Sequence, residues 1–141
     1  MALLNYTTTV SADRTVAEIH KMLVGAGARQ IMSTYNADSR PVGVAFAVET
    51  ALGLRHFHLP VRSDRVEAVL LKQRVERRFC NPQQAERVAW RIIKDWLEAQ
   101  LAIIRAEMVT FDQVMLPYMA TDGGQSMYEL YREQQLALTA G

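Results

Sequence analysis

The segment from Asn81 to Met108 constrains the fold most, because it has the pattern of one long helix with a wide apolar face. Asn81 is a favourable N-cap, Pro82 suits the first helical position, and Gln84 has the spacing of a capping box. At about 100° per residue the apolar side chains span an arc of roughly 220°, whereas one packing surface needs a stripe of about 100°. We therefore predict a long helix over residues 81–108 that is covered on two sides.

Two alternatives explain the second cover of this helix. The chain's own domain could wrap it, with the C-terminal segment as one possible cover, or a second copy of the protein could pack against it as a homo-oligomer. In the second case the candidate interface residues are Trp90, Ile93, Trp96, Leu97, Gln100, Leu101 and Ile104. Gln100 is the polar residue within this arc, where a buried amide needs hydrogen-bond partners. On the remaining, solvated wedge, Arg91 with Asp95 and Lys94 with Glu98 have the spacing of i,i+4 ion pairs.

Four segments in the first 62 residues have the β-branched and aromatic residues of strands, bounded by turn residues. They are Asn5–Val10, Gln30–Tyr35, Val42–Thr50 and Arg55–Val61. The last three segments predict an antiparallel meander. In its middle strand the small residues Gly43, Ala45 and Ala47 share one face, which predicts that a helix approaches that face closely.

Capping-box spacing predicts where helices begin, because a Ser, Thr or Asp is followed three residues later by Glu or Gln. The pairs are Thr15 with Glu18, Asp64 with Glu67, Thr110 with Gln113, and Ser126 with Glu129. The predicted order is β-α-β-β-β-α-α-α-α, an α+β fold in which helices cover an antiparallel sheet of three to four strands. For 141 residues we expect a single domain over 1–141, with 1–62 mainly sheet plus one helix and 63–141 helical.

The sequence has no run of about 18 apolar residues and no basic segment followed by a long apolar stretch at its N-terminus. We therefore expect neither a membrane partner nor secretion. The single cysteine, Cys80, excludes an internal disulfide framework and agrees with a reducing compartment. A cytoplasmic location is the expectation.

Charge is unevenly distributed along the chain. Residues 55–94 carry ten basic and four acidic side chains, a net of +6, whereas residues 95–141 carry two against seven, a net of −5. Of the 16 basic residues 13 are arginine, whose planar fork matches phosphate or carboxylate. Either the basic middle faces the acidic tail, or it binds an anionic partner such as a nucleotide or nucleic acid. The candidate ligand-binding residues are Arg55, His56, His58, Arg62, Arg65, Arg74, Arg77 and Arg78, with Lys72 beside them.

Motifs for catalysis are lacking, so we expect no enzymatic activity and no cofactor. His56 and His58 are two residues apart on one strand, so their side chains point to the same face. They could bind a metal if His20 or Cys80 supplied a third ligand, but two ligands alone do not form a metal site. Exposed strand histidines opposite a buried face explain the same pattern. Nothing in the sequence supplies Cys80 with a base, and the acidic residues follow no catalytic motif.

Residues 16–78 have the element order α-β-β-β-α, which is the order of the double-stranded RNA-binding domain. That family places a lysine-rich stretch at the start of its second helix, where it grips phosphates. Here Ser63–Leu71 reads SDRVEAVLL, and the basic cluster lies only at the far end. The order therefore matches this family, whereas the phosphate-binding residues do not.

Three segments resemble a family of small uncharacterised accessory proteins of tailed phages and prophages. They are LNYTTTV at Leu4–Val10, ERVAWRIIKDWLEAQLAII at Glu86–Ile104 and VTFDQVMLPYM at Val109–Met119. The resemblance implies a phage protein in the host cell cytoplasm, a setting in which small accessory proteins often block host defence.

Together these observations predict a non-enzymatic, homo-oligomeric binding protein that counteracts defence by sequestering a signalling nucleotide or another anionic partner. The alternatives are a nucleic-acid-binding accessory protein, an inhibitor that binds a host defence protein directly, and a structural component of the phage.

Overall fold

A computed structural model describes residues 1–140 and shows an α+β fold. Within those residues, three antiparallel strands form one sheet in the order β1-β2-β3, namely β1 (Ala28–Tyr35), β2 (Pro41–Thr50) and β3 (Gly53–Pro60). The helices are α1 (Ala12–Gly25), α2 (Ser63–Lys72), α3 (Pro82–Arg105), α4 (Phe111–Met115) and α5 (Met127–Ala140), with 3₁₀ helices at Arg77–Phe79 and Leu116–Tyr118. The predicted class and the three-stranded antiparallel meander are confirmed. Across residues 1–140, no helix combines the length and the apolar character needed to cross a membrane.

The predicted strand at Asn5–Val10 is wrong. Asn5 has a φ of 64°, in the left-handed region, and the chain turns there. The carbonyls of Tyr6 and Thr8 accept hydrogen bonds of 2.9 and 3.0 Å from Nε2 of Gln84 on α3. Because a helix side chain satisfies these carbonyls, the segment needs no neighbouring strand.

The predicted helix starts are partly confirmed. Asn81 caps α3 by accepting a 2.8 Å hydrogen bond from the backbone N–H of Gln84, although the Gln84 side chain turns to the N-terminal segment instead of completing a capping box. The capping box of Thr110 and Gln113 on α4 is present. The box predicted at Thr15 is wrong, because α1 begins four residues earlier behind the N-cap Ser11.

The box predicted at Asp64 and Glu67 is also wrong. The N-cap of α2 is Arg62, whose side chain makes no capping hydrogen bond. At α5, Ser126 Oγ accepts a 3.1 Å hydrogen bond from the backbone N–H of Glu129. That bond is the N-cap half of the predicted box.

One face of the sheet packs against α1 and α3 to form the core. The core joins Ile19 and Leu23 of α1 to Phe46 and Phe57 of the sheet and to Trp90 of α3. The Trp90 side chain is completely buried, and its Nε1–H donates a 3.1 Å hydrogen bond to the carbonyl of Pro41 at the start of β2. This bond fixes α3 relative to the sheet.

The wide apolar arc of α3 is covered from several sides by its own chain. Besides α1 and the sheet, α2 packs along α3 and α4 contacts it. Trp90 and Leu97 are both completely buried within the chain, so their burial requires no second copy. The wrapping alternative therefore accounts for these two residues.

Of the two ion pairs predicted on the solvated side of α3, one is confirmed. Lys94 and Glu98 form the predicted pair at 2.5 Å. Arg91 does not pair with Asp95, because its guanidinium reaches Glu18 of α1 at 2.5 Å. Asp95 instead accepts a 2.7 Å hydrogen bond from the side chain of Asn5. Long-range partners on α1 and the N-terminal segment thus replace the local one.

Replacing Trp90 with Phe should lower the free energy of unfolding by about 2–4 kcal/mol. The substitution removes the donor to the Pro41 carbonyl, which costs about 1–3 kcal/mol for a buried acceptor, and it also leaves a cavity. Urea denaturation followed by circular dichroism measures the change. The matched control is Trp96→Phe, because Trp96 is only half-buried and should lose less; equal losses for both variants would contradict this account.

Candidate anion-binding surface

A cluster of exposed basic residues lies on the turn between α2 and α3. We call residues 72–78 the basic turn. Its members Lys72, Arg74 and Arg77 are exposed, and among residues 1–140 none of these three has a carboxylate within ion-pairing distance. Arg78 pairs with Glu76 at 3.0 Å. The turn therefore presents three uncompensated cations.

The backbone of the basic turn is held by local hydrogen bonds and by the N-terminal segment. Arg74 adopts a φ of 54°, which reverses the chain after α2. The side chain of Gln73 accepts a 2.9 Å hydrogen bond from the backbone N–H of Leu3. Phe79 packs edge-on against Tyr6, with ring centroids 5.5 Å apart. These contacts hold the turn in a defined position beside the start of α3.

The other predicted arginines lie away from the basic turn. Arg62 and Arg65 stand at the start of α2, and a helix of ten residues is about 15 Å long. Arg62 is paired with Asp64 at 2.7 Å. Arg55 is half-buried, and it donates to the carbonyl of Leu54 at 3.1 Å. The predicted surface therefore divides into the basic turn and a second group near β3 and the start of α2.

The two strand histidines lie on the sheet face opposite the core. His56 pairs with Ala47 and His58 with Ala45 across the β2–β3 ladder, and both histidines are exposed. A Cβ atom added to Gly43 would stand 2.8 Å from His58 Nε2 and 2.7 Å from Thr34 Oγ1. The close approach predicted for the small residues of β2 is therefore made, at Gly43, by side chains of the neighbouring strands and not by a helix.

Among the residues it describes, the structure does not bring His20 or Cys80 together with His56 and His58 as a third metal ligand. His20 lies on α1, with Nε2 2.9 Å from Ser33 Oγ, and the thiol of Cys80 donates to the carbonyl of Val75 at 3.5 Å. Over the described residues 1–140, no three His, Cys, Asp or Glu side chains form a group that could hold a metal ion. His58 instead lines a cavity of about 460 Å³ with Tyr118, Tyr128 and Glu129.

In the described chain the acidic tail forms ion pairs with the basic middle only at Lys94, which contacts Asp95 and Glu98. Among the described residues of the tail, the other five carboxylates form no ion pair. They are Glu107, Asp112, Asp122, Glu129 and Glu133. Within the described residues of one chain, ion pairs between the two regions are therefore confined to neighbouring residues of α3.

The remaining members of the predicted oligomer interface are half-buried. Besides the buried Trp90 and Leu97, they are Ile93, Trp96, Gln100, Leu101 and Ile104. Trp96 packs edge-on against Tyr118 at 5.9 Å. Among residues 1–140 only Thr34 Oγ1 is a buried side-chain polar atom without a partner, so the Gln100 amide is not a buried, unsatisfied group.

Comparison with known proteins finds no matching family model, no similar curated protein and no similar solved structure. The proposals below therefore depend on the chain's own geometry and charge.

Sequence reasoning missed two local neutralisations within the predicted surface. Asp64 compensates Arg62, and Glu76 compensates Arg78. In each pair the acid stands two residues from the arginine. Arg74 has the same spacing from Glu76 but forms no ion pair with it, so only the fold separates Arg74 from the paired Arg62 and Arg78.

The Arg62 guanidinium lowers the pKa of the Asp64 carboxyl from 3.8 to about 2, chiefly through their hydrogen bond. A depressed carboxyl pKa contributes stability above the ordinary pKa, and that contribution is lost as the pH falls toward 2. We expect an NMR titration of Asp64 to have its midpoint near pH 2, and Arg62→Gln to return the pKa toward the ordinary value. An unchanged midpoint in that variant would contradict the assigned cause.

Proposed function

We propose that the protein is a non-enzymatic binding protein that captures an anionic partner on the basic turn. The observation that supports this proposal is the presence of Lys72, Arg74 and Arg77 on one exposed turn without ion-pair partners in the described chain. Cations that no carboxylate neutralises contribute most to binding phosphates. The backbone of the turn is also held in place, so binding costs little backbone ordering entropy.

Nucleic acid is the partner that fits this turn best. Its phosphates repeat along an extended backbone, which an exposed cationic turn can contact without enclosing a ligand. The half-buried rings of Phe79 and Tyr6 stand beside the cations, and the Arg78 guanidinium lies 4.7 Å from the centre of the Phe79 ring. We therefore propose a nucleic-acid-binding accessory protein whose affinity is largely electrostatic.

Sequestration of a free signalling nucleotide is the second candidate. Its size would suit the 460 Å³ cavity beside His58, because small-molecule sites have volumes of about 300–1,000 Å³. That cavity is lined by Glu129 and by no lysine or arginine, which disfavours phosphate there. Capture of a nucleotide would instead require the basic turn, with a second copy completing the enclosure.

The resemblance to phage accessory proteins supplies the biological setting of the proposal. A small protein that covers nucleic acid or removes a nucleotide signal in the host cell cytoplasm would block a defence system by occupancy alone. A binding surface is sufficient for such a role, and catalytic groups are unnecessary. Direct inhibition of a host defence protein would use the same basic turn, which would bind an acidic protein surface instead of phosphates.

Neutralising the basic turn should weaken nucleic-acid binding and reduce its salt dependence. We expect Arg74→Gln and Arg77→Gln each to lower the magnitude of the slope of log K against log salt by about one, because each arginine displaces counterions from roughly one phosphate. Fluorescence anisotropy with labelled duplex and single-stranded oligonucleotides, at several salt concentrations, measures the slope.

The matched control is Arg29→Gln, because Arg29 is exposed on β1 and lies outside the basic turn. This variant should bind like the wild-type protein. Binding that is independent of salt, or equal losses in all three variants, would contradict the proposal. Tight binding of a cyclic or linear nucleotide by the wild-type protein, lost in Arg74→Gln, would select the second candidate.

A further inference from the structure

Between Met127 and Ala140, helix α5 has no buried residue. Every residue from Tyr131 to Ala140 is exposed. Its principal contacts are with the 3₁₀ helix Leu116–Tyr118, and they involve the first turns of α5. An isolated helix of about 12–15 residues is only marginally stable in water, so this helix of 14 residues gains stability from any surface that covers it.

One side of α5 is an apolar stripe, which is half-buried at Met127 and Leu130 and exposed at Tyr131 and Leu138. At about 100° per residue, Met127, Leu130, Tyr131 and Leu138 lie on one side of the helix, whereas Glu129, Arg132 and Glu133 lie on the other. The stripe continues into a groove of about 360 Å³ that is lined by Leu116, Pro117, Met127, Tyr128, Leu130, Tyr131 and Gln134. The groove contains no charged side chain.

We propose that this groove and stripe form an isologous interface with α5 of a second copy of the chain. In a two-fold arrangement the same face meets itself, so one contact covers the stripe and the groove of both copies. The face is uncharged, so bringing two identical faces together creates no like-charge contact. The charged residues Glu129, Arg132 and Glu133 remain at the solvent side.

The exposed area matches what a small specific dimer needs. Tyr128 and Tyr131 are 55% and 59% exposed, and a covered aromatic side chain buries about 150–250 Å², so these two leave roughly 200 Å² open per copy. The open area also includes Leu116 and Leu138, which are 47% and 74% exposed, and the half-buried remainder of the groove. The total open apolar area is then about 500 Å² per copy and about 1,000 Å² for the pair. That total belongs to small, reversible interfaces.

This interface differs from the one expected on α3. The central α3 residues Trp90 and Leu97 are completely buried by the chain itself, whereas Tyr131 and Leu138 of the α5 stripe are exposed. The exposed, uncharged face of α5 is thus the better surface for a second copy. The inference is independent of the basic turn, which lies on the connection between α2 and α3.

Two leucines of α5 provide a matched pair of variants. Leu138 lies on the stripe, whereas Leu136 is also exposed, at 58%, but points about 160° away round the helix. We expect the full-length protein to shift from monomer to dimer through the micromolar range in sedimentation-velocity experiments. Leu138→Glu should remain monomeric over that range, and Leu136→Glu should dimerise like the wild type.

A second variant, Tyr131→Glu, should also be monomeric, and circular dichroism should show that all variants keep the wild-type fold. A wild-type protein that stays monomeric at every concentration would overturn the proposal, and so would a dimer that survives both Leu138→Glu and Tyr131→Glu. Equal loss of dimer in Leu136→Glu and Leu138→Glu would also overturn it, because the stripe would then not be the contact face.

Discussion

The structure depends on the burial of Trp90 in the centre of α3. Its side chain is completely covered, and its indole N–H donates to the carbonyl of Pro41, where β2 begins. This one residue therefore joins the longest helix to the sheet, both by packing and by a directional bond. Helices α1 and α2 then pack along the remaining sides of α3, which is why its apolar arc is so wide.

The position of α3 also determines where the basic turn lies. The turn immediately precedes α3, and Gln84 in the first turn of α3 binds the carbonyls of Tyr6 and Thr8. The N-terminal segment is thereby held beside Phe79. Lys72, Arg74 and Arg77 are thus presented on a supported turn. If α5 pairs two copies, the assembly carries two such turns, and binding of one long polyanion becomes bivalent.

Local patterns predicted the features that local chemistry controls. The cap at Asn81, the capping box at Thr110 and the three-strand meander follow from neighbouring residues, and the structure contains them. Features set by distant partners were not predictable: Arg91 pairs with Glu18 of α1 instead of Asp95, and the segment at Asn5 follows α3 instead of joining the sheet. At the candidate site the sequence predicted the excess of arginine, but only the fold separates Arg74 and Arg77 from the neutralised Arg62 and Arg78.

The most direct test of the central claim is photo-cross-linking of the protein to nucleic acid in cells, followed by mass spectrometry of the cross-linked peptides. If the basic turn is the binding surface, the cross-links should concentrate between Lys72 and Phe79, with Tyr6 as a further site. Cross-links confined to the sheet face around His56 and His58, or to α5, would contradict the account, as would recovery of the protein without any cross-linked nucleic acid.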